Sequence, residues 1–280
     1  MKTFHTEIED AAQALDERSK ALRKKIVMVM DKAGRGHLAS ALSLVEIVRV
    51  LYDDILKYDS NNPQWPMRDR FILSKGHGCL ALYVILAEKG FFPESELWRF
   101  CKKDGLLGGH PEKKIPGVEA STGSLGHGFS VGLGFALNAI YEKAEYRTIV
   151  VLGDGECNEG SVWEAALSAG KHKLNNLTII VDYNKYQSYG STQEVQDLEP
   201  FLDKWKSFGF AVADVDGHDI KELRTILYSL PLDSDKPNAV ICHTVKGKGI
   251  SFVENNLSWH HKSKLSESEI QKLLASVEAY

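Results

Sequence analysis

The stretch Thr148-Ile149-Val150-Val151-Leu152-Gly153-Asp154-Gly155 decides the fold of this chain. Its first five residues are apolar, rich in β-branched side chains and too few for a helix, so they predict a buried strand that ends at Gly153. Leu177 to Val181 is a second such run. The pattern from Gly160 to about Lys173 predicts an amphipathic helix between them. A strand–helix–strand unit of this kind makes the two strands parallel.

Two oxygen-bearing side chains follow these strands. Asp154 lies just past the end of the first strand, and Asn184 lies just past the end of the second. Neighbouring parallel strands are about 5 Å apart, so we predict that both residues bind one cation. Their hard oxygen atoms favour Mg²⁺ or Ca²⁺, and a single acidic ligand favours a metal shared with a diphosphate at the next helix. A plain turn at Gly-Asp-Gly is the alternative.

Strands and helices alternate along the rest of the chain. This order predicts the α/β class, with a mostly parallel sheet and helices on both faces. No repeat or linker divides the sequence, so we expect one domain over residues 1–280. The expected helices are Glu7 to Ala33, Ser40 to Ile55, one after His77, and Asp219 to Leu230; the further strands are Arg70 to Leu73, Phe210 to Val215 and Ala239 to Thr244; long loops are expected over 61–68, 105–124 and 246–264.

Composition narrows the class of protein. The chain has 280 residues and a net charge of −4, without the basic, aromatic-rich patch of a nucleic-acid-binding protein or an apolar run that approaches a membrane span. Its four cysteines are widely spaced, which predicts neither a zinc knuckle nor a disulfide framework. The first seven residues contain no apolar signal core, so we expect a cytoplasmic protein.

The segment from Gly153 to Gly160 and the triplet Asp182-Tyr183-Asn184 resemble the cofactor fingerprint of thiamine-diphosphate enzymes. The whole chain resembles the amino-terminal part of transketolase. Five further segments carry this resemblance in the same order: Gly36-His37, Ser74 to Gly78, Gly109 to Glu112, Thr122 to Gly126, and Trp259-His260. The resemblance implies the thiamine-diphosphate-binding fold, with thiamine diphosphate and Mg²⁺ or Ca²⁺ as cofactors.

The same resemblance implies roles for individual residues. His37, His110 and His260 match positions that act on the substrate, where an imidazole can hydrogen-bond a hydroxyl group and move a proton. His261 is the alternative to His260 if the register is shifted by one residue. The implied cofactor-binding residues are His77, Gly123, Ser124, Leu125, Gly153, Asp154, Gly155, Glu156, Asn184 and His260, and the implied metal ligands are Asp154, Asn184 and the carbonyl of Tyr186.

Glu159 and Glu164 match a carboxylate pair that links two cofactor sites across the transketolase dimer. Two exposed acids on a helix are the alternative. In transketolases the glutamate that activates the cofactor belongs to the next domain, and this sequence ends about where the diphosphate-binding domain ends. We therefore predict the first subunit of a split transketolase, in a heterotetramer with a partner chain that carries the pyrimidine-binding and carboxyl-terminal domains. A truncated fragment of a longer chain remains the alternative.

The implied reaction transfers a two-carbon ketol unit from a ketose donor to an aldose acceptor, so the substrates are sugars or sugar phosphates. Leu38 stands where typical transketolases have proline, which keeps a 1-deoxyxylulose-5-phosphate-synthase-like enzyme open. The alpha subunit of a 2-oxo acid dehydrogenase shares the Asp154 and Asn184 pattern, and a non-catalytic cofactor-binding relic is the alternative outside the enzymes. Gly109-His110 and Trp259-His260 favour transketolase.

Overall fold

The fold is built on a parallel sheet of five strands in the order β1-β2-β3-β5-β4. The computed structural model describes residues 14–262 and 264–280. Thr148 pairs with Leu177 and Gly153 with Asp182, so β2 and β3 end at the same edge of the sheet and the predicted parallel pairing is confirmed. The strands are β1 (Arg70–Leu73), β2 (Thr148–Gly153), β3 (Leu177–Tyr183), β4 (Ala211–Asp216) and β5 (Asn238–His243).

Helices connect the strands and extend the chain at both ends. Within the two described ranges, none of them is long and apolar enough to cross a membrane. The helices are α1 (Glu17–Ala33), α2 (Leu38–Leu42), α3 (Val45–Val50), α4 (Cys79–Glu88), α5 (His127–Tyr141), α6 (Gly160–Lys171), α7 (Thr192–Gln196), α8 (Phe201–Ser207), α9 (Ile220–Tyr228) and α10 (Glu267–Ala279), with a π-helical turn at Leu51–Ile55 and 3₁₀ turns at Gly76–Gly78, Glu94–Arg99, Gly155–Asn158 and Leu257–Trp259.

The sheet separates two hydrophobic cores, because successive residues of a strand point to opposite faces. Ile149 and Val151 of β2 pack with residues of α1 to α4, α9 and α10 on one face. Val150 and Leu152 pack with residues of α5, α6 and α8 on the other face. These four side chains are almost completely buried. Helices therefore cover both faces, as predicted, which is why β2 is a continuous apolar run rather than an alternating one.

The first helix was predicted too long. It begins at Glu17 rather than about Glu7, and residues 14–16 are not helical; residues 7–13 lie outside the described residues. Asp16 ends the extended segment as the N-cap, since its carboxylate accepts a hydrogen bond of 2.8 Å from the backbone N–H of Ser19. This cap satisfies one of the free N–H groups of the first turn and sets the start of α1.

The predicted helix from Ser40 to Ile55 is instead three successive helical segments, interrupted at Ser43 and Leu44. At this break the Ser43 hydroxyl donates to the carboxylate of Asp182, 2.7 Å away at the end of β3. That contact joins residues 139 positions apart, so periodicity along the chain does not reveal it. Helices α7, α8 and α10 were also missed, although Ser266 and Glu269 form a capping box that begins α10.

The contact between α6 and residue 208 offers a test of this packing. A Cβ atom on Gly170 would lie 1.9 Å from the carbonyl oxygen of Phe208. We therefore expect Gly170→Ala to lower the free energy of unfolding by roughly 1–3 kcal/mol in urea denaturation. Gly134→Ala in α5 is the matched control, because a Cβ there meets no atom within 4 Å and should raise stability by about 0.5–1 kcal/mol. Equal effects of the two variants would contradict the described packing.

Candidate active site

The carboxyl ends of β2 and β3 bring Asp154 and Asn184 together, as the sequence predicts. The Asp154 carboxylate accepts hydrogen bonds from the backbone N–H of Gly155, at 2.7 Å, and from that of Lys185, which directly follows Asn184. The amide oxygen of Asn184 accepts from the N–H of Tyr186 at 3.1 Å. These residues line one cavity of about 380 Å³, so strand ends thirty residues apart form one site.

Most of the residues singled out from the sequence line this cavity, which we call the cofactor cavity. Ser124 and Glu164 do not line it, and Glu164 is exposed on α6. His261 lines it beside His260. The predicted residues found there are His37, His77, His110, Gly123, Leu125, Gly153, Asp154, Gly155, Glu156, Glu159, Asn184, Tyr186 and His260.

The electrostatics of Asp154 favour a bound cation. Burial, and next the negative charge of Asp182, raise the pKa of Asp154 to about 7, and hydrogen bonds from Gly155 and Lys185 offset only part of this. A buried carboxylate beside a second one is stabilised by added positive charge. The described residues contain no cluster of three His, Cys, Asp or Glu side chains that could hold a metal ion. The donors that the sequence predicts are a carboxylate, an amide oxygen and a main-chain carbonyl, and oxygen donors of this kind fit Mg²⁺ or Ca²⁺.

Lys246 is a site residue that the sequence analysis missed. Its ammonium donates to the carbonyl oxygen of Tyr186 at 2.9 Å and to that of Gln187 at 3.2 Å. The Tyr186 carbonyl predicted as a metal ligand thus already faces positive charge. Burial, and then the charge of Lys75, lower the pKa of Lys246 to about 8. A buried ammonium of this kind is suited to an anionic ligand such as a diphosphate.

The fold holds Lys246 in place through its neighbour in the chain. The backbone N–H of Val245 donates to Nε2 of His218 at 2.8 Å, so Nδ1 of this imidazole carries the proton. That Nδ1 donates in turn to the buried carboxylate of Glu46 at 2.9 Å. Strand β5 ends at His243, three residues before Lys246. The strand-end rule that identified Asp154 and Asn184 would have found this lysine too.

The buried Glu156 side chain stabilises the wall of the cavity. Its carboxylate accepts hydrogen bonds from the hydroxyl of Ser74 and from the N–H groups of Gly126, at 2.9 Å, and Gly153, at 3.1 Å. The carboxylate therefore ties together the ends of β1 and β2 and the start of α5. Its contact with a cofactor stays a prediction. Lys75, Ser40, Asn158, Gln187, Ser188 and Tyr189 also line the cavity without having been predicted.

Histidines far apart in the sequence converge around His37. The centroid of its ring lies 5.6 Å from that of His77, 6.3 Å from that of His110, and 5.9 Å from those of both His260 and His261. Burial is the main cause that lowers the pKa of His37 to about 4 and that of His260 to about 3, with further lowering by neighbouring positive groups. These two imidazoles are neutral at pH 7, so each presents one donor and one acceptor nitrogen.

A glycine makes room for one of these rings. Gly123 has a φ of +143°, and a Cβ atom there would lie 3.0 Å from two carbon atoms of the His110 ring. The loop of residues 122–126 therefore passes directly over this imidazole. His260 completes the wall from the other side: its Nε2 lies 3.0 Å from the Ser188 hydroxyl. Its buried Nδ1 has no hydrogen-bond partner among the described residues, so that nitrogen is free to bind a ligand.

Leu38, which stands where typical transketolases have proline, does not contact the site. Leu38 is the first residue of α2 and is fully buried in the core, and it does not line the cofactor cavity. Proline is favoured at a first helical position because its missing N–H and fixed φ suit it. The exchange of proline for leucine therefore concerns the start of a helix and its packing rather than substrate contacts.

These observations define a class of protein: an α/β domain that gathers carboxylate and amide oxygens, buried ammonium groups and neutral histidines at the carboxyl ends of parallel strands. A sequence profile described as the thiamine diphosphate binding domain of transketolase matches residues 16–277. The chain therefore belongs to the transketolase family, which confirms the resemblance identified in the sequence.

Relatives of two lengths match the chain. It is 41% identical to one of the subunits of the apulose-4-phosphate transketolase of Phocaeicola vulgatus, over 89% of both chains. It is 39% identical to a 6-deoxy-6-sulfo-D-fructose transketolase subunit of Clostridium sp. over 94% of this chain and 96% of the relative. Human transketolase is 36% identical over the whole of this chain, which spans only 45% of that protein.

A solved structure agrees with the sequence comparison. Transketolase from Campylobacter jejuni superimposes with a TM-score of 0.88 and 30% sequence identity, over 94% of this chain and 42% of the other. The present chain thus corresponds to less than half of a transketolase of that length. The α/β fold predicted from the sequence is confirmed by this likeness and by the parallel sheet.

The unfavourable burial of the Asp154 carboxylate predicts that its neutral variant is more stable than the unchanged protein. In metal-free solution, Asp154→Asn should raise the melting temperature at pH 8 by about 3 °C or more. A carboxyl group whose pKa is raised by folding, here to about 7, contributes stability below its unfolded pKa that is lost as pH rises through the folded pKa. The gain should therefore be absent below about pH 4 and grow up to about pH 7, as measured by thermal melts across pH.

The exposed Asp203→Asn, whose side chain pairs with Lys206 at the surface, is the control and should not raise the melting temperature at pH 8. A melting temperature of Asp154→Asn that stays equal to that of the unchanged protein at every pH would show that Asp154 carries no unfavourable charge in the folded state.

Proposed function

We propose that this chain is the cofactor-binding subunit of a two-chain transketolase, which transfers a two-carbon ketol unit from a ketose to an aldose. The observation that carries the proposal is the cofactor cavity, where a cation-demanding Asp154–Asn184 pair lies beside neutral histidines. Thiamine diphosphate, when bound, supplies the nucleophilic carbon and the electron sink of the reaction. The two relatives of similar length are named as transketolase subunits, which supports ketol transfer over pyruvate or 2-oxo acid chemistry.

The diphosphate end of the cavity would hold the metal and the phosphate oxygens. Asp154, Asn184 and the carbonyl of Tyr186 would bind Mg²⁺, and the cation would relieve the unfavourable burial of the Asp154 carboxylate. Lys246 lines the same cavity, and its ammonium would pair with a phosphate oxygen. The free Nδ1 of His260 and the ring of His77 offer hydrogen bonds that need no fixed charge.

The sugar end of the cavity would be handled by His37 and His110. Both rings border the cofactor cavity and the larger opening beside it. Burial lowers the pKa of each, so at pH 7 each imidazole is able to accept a proton from a hydroxyl group or donate one to it. These are the operations that ketol transfer requires near the reacting carbonyl.

The remaining half of the active site would come from a partner chain. The outer faces of α5 and α6 expose apolar side chains, of which Ile140 is 53%, Tyr141 84% and Leu167 63% exposed. Glu164 lies on the same side of α6 as Leu167, and Glu159 lies at the start of that helix and lines the cavity. An apolar surface beside these carboxylates suits a subunit interface. We propose a heterotetramer with two copies of each chain.

A cytoplasmic location is also part of the proposal. The four cysteines are free thiols, and none pairs with another. Three of them are buried, and burial raises the pKa of Cys79 and of Cys157, which keeps these thiols protonated. Unpaired thiols of this kind agree with a reducing compartment.

Calorimetry with both chains tests the proposal. Thiamine diphosphate and Mg²⁺ are titrated into this chain alone and into its mixture with a partner that supplies the pyrimidine-binding half, and ketose-to-aldose transfer is then assayed. We expect tight binding and turnover only in the mixture. Asp154→Ala should weaken cofactor binding about a hundredfold or more, since it removes the charged metal ligand.

Asp203→Ala is the control, and it should leave both binding and transfer unchanged because Asp203 is exposed on α8. Turnover of pyruvate or another 2-oxo acid in place of a ketose would retain the family and refute the transferase assignment. If the mixture bound no cofactor at all, the non-catalytic alternative would be favoured.

A further inference from the structure

A buried series of polar side chains connects helix α1 with the segment that carries Lys246. Arg23 of α1 and Glu46 of α3 form an ion pair with two hydrogen bonds, of 2.6 and 2.8 Å. The Glu46 carboxylate also accepts from Nδ1 of His218 at 2.9 Å, and His218 lies in the turn between β4 and α9. All three side chains are buried. We call them the Arg23–Glu46–His218 network.

The network holds the backbone on both sides of Lys246. Nε2 of His218 accepts from the N–H of Val245 at 2.8 Å. Nε of Arg23 donates to the carbonyl of Lys248, also at 2.8 Å. Because Glu46 joins these two side chains, residues before and after Lys246 are fixed by one connected set of hydrogen bonds.

The charges and donors of the network are satisfied within the protein. Burial acts to raise the pKa of Glu46, but the charge and hydrogen bonds of Arg23 and the hydrogen bond of His218 outweigh it and hold that pKa well below its usual range. The Arg23 guanidinium donates to three backbone carbonyls in addition to the Glu46 carboxylate. A buried network with every member paired is rigid and fixes what it binds.

Lys246 extends this support to the loop that follows β3. Its ammonium donates to the carbonyls of Tyr186 and Gln187. Gln187 lines the cofactor cavity, and its buried Nε2 has no hydrogen-bond partner among the described residues. The next residue, Ser188, lies 3.0 Å from Nε2 of His260. The position of Lys246 therefore sets three groups of the cavity wall: the Tyr186 carbonyl, the free amide of Gln187 and the hydroxyl of Ser188.

We propose that His218 is a positioning residue of the cofactor site, which fixes Lys246 and, through Lys246, the loop of residues 186–188. His218 does not line the cofactor cavity itself, so it acts only through the groups it holds. The inference rests on the proposed function and adds to it a residue outside the cavity that sets the affinity for the cofactor. Residues that orient metal-binding groups from behind typically change affinity by about ten- to a hundredfold when they are replaced.

The test compares His218→Met with His218→Gln in the two-chain enzyme. The two substituted side chains are similar in size, but only glutamine keeps an oxygen that accepts from the N–H of Val245. We expect His218→Met to raise the calorimetric Kd for thiamine diphosphate with Mg²⁺ about tenfold or more. The Kd of His218→Gln should lie closer to that of the unchanged enzyme. At saturating cofactor, kcat should change less than about twofold in both variants.

A second measurement needs no cofactor. In the two-chain enzyme without thiamine diphosphate or metal, His218→Met should exchange the amide hydrogens of residues 185–190 and 245–248 about tenfold faster, because the hydrogen bond that fixes Val245 is lost. Gly170→Ala is the matched control: it disturbs the packing of α6 against Phe208, away from the cofactor cavity. It should leave both the Kd and the exchange of these two segments unchanged.

Lys246→Met breaks the next connection while the Arg23–Glu46–His218 network stays intact, so it carries the test if His218→Met does not fold. It should speed the exchange of residues 185–190 by about tenfold. Unchanged exchange in this variant overturns the proposal.

The remaining outcomes are distinct. A raised Kd together with faster exchange in both segments, each partly reversed by glutamine, supports the positioning role. An unchanged Kd, or a raised Kd without faster exchange at residues 185–190, overturns it. If the unchanged two-chain enzyme neither binds thiamine diphosphate nor transfers a ketol unit, the proposed function is refuted, and the exchange measurement still decides whether His218 holds the loop.

Discussion

The buried ion pair between Lys75 and Asp182 is the interaction on which the site depends. The Lys75 ammonium donates to the Asp182 carboxylate, which also accepts from the hydroxyls of Ser43 and Thr244 and from the amide of Asn184. Burial acts to raise the pKa of Asp182, but the charge of Lys75 and these hydrogen bonds outweigh it and keep the carboxylate ionised. One carboxylate thereby aligns the ends of β1, β3 and β5 and the break between α2 and α3.

A pair of this kind contributes geometry rather than large net stability. Removal of both charges from water costs about as much as their attraction returns, whereas loss of one partner leaves a buried charge and costs about 3–5 kcal/mol. The ionised Asp182 carboxylate also affects Asp154, the neighbouring carboxylate. Burial, and next the charge of Asp182, raise the pKa of Asp154, so a positive charge beside Asp154 would stabilise its carboxylate.

The histidines of the cavity, unlike Asp154, lie where positive charge is concentrated. Lys75 and Lys246 both lower the pKa of His77 and of His260, after burial, which is the larger cause. The rings of His77 and His260 therefore stay neutral at pH 7. At the charged end of the cavity, the rings of His77 and His260 can thus offer hydrogen bonds without a fixed charge of their own.

The local pattern of apolar residues was sufficient to predict much of the fold. The strands at residues 70, 148, 177 and 238 follow from runs of apolar residues, because burial on both faces of a parallel sheet demands them. Strand β4, at the edge of the sheet, is only partly buried. The same rule located Asp154 and Asn184. It was not enough for helix α1, whose start depends on the Asp16 cap, nor for the break at Ser43, which a residue 139 positions away stabilises.

By itself, then, the sequence determined the α/β class and the parallel pairing of β2 and β3, since both depend on residue type and short-range spacing. Spacing also predicted the oxygen donors Asp154 and Asn184, whereas the roles of the histidines were implied by the resemblance to transketolase. The tertiary structure decided which of them meet. Folding brings Lys75 close to Lys246 and His37 close to His260 only when the sheet forms and its loops pack over one edge. Contacts between residues so far apart produce no periodic pattern in the sequence, so only the folded structure shows them.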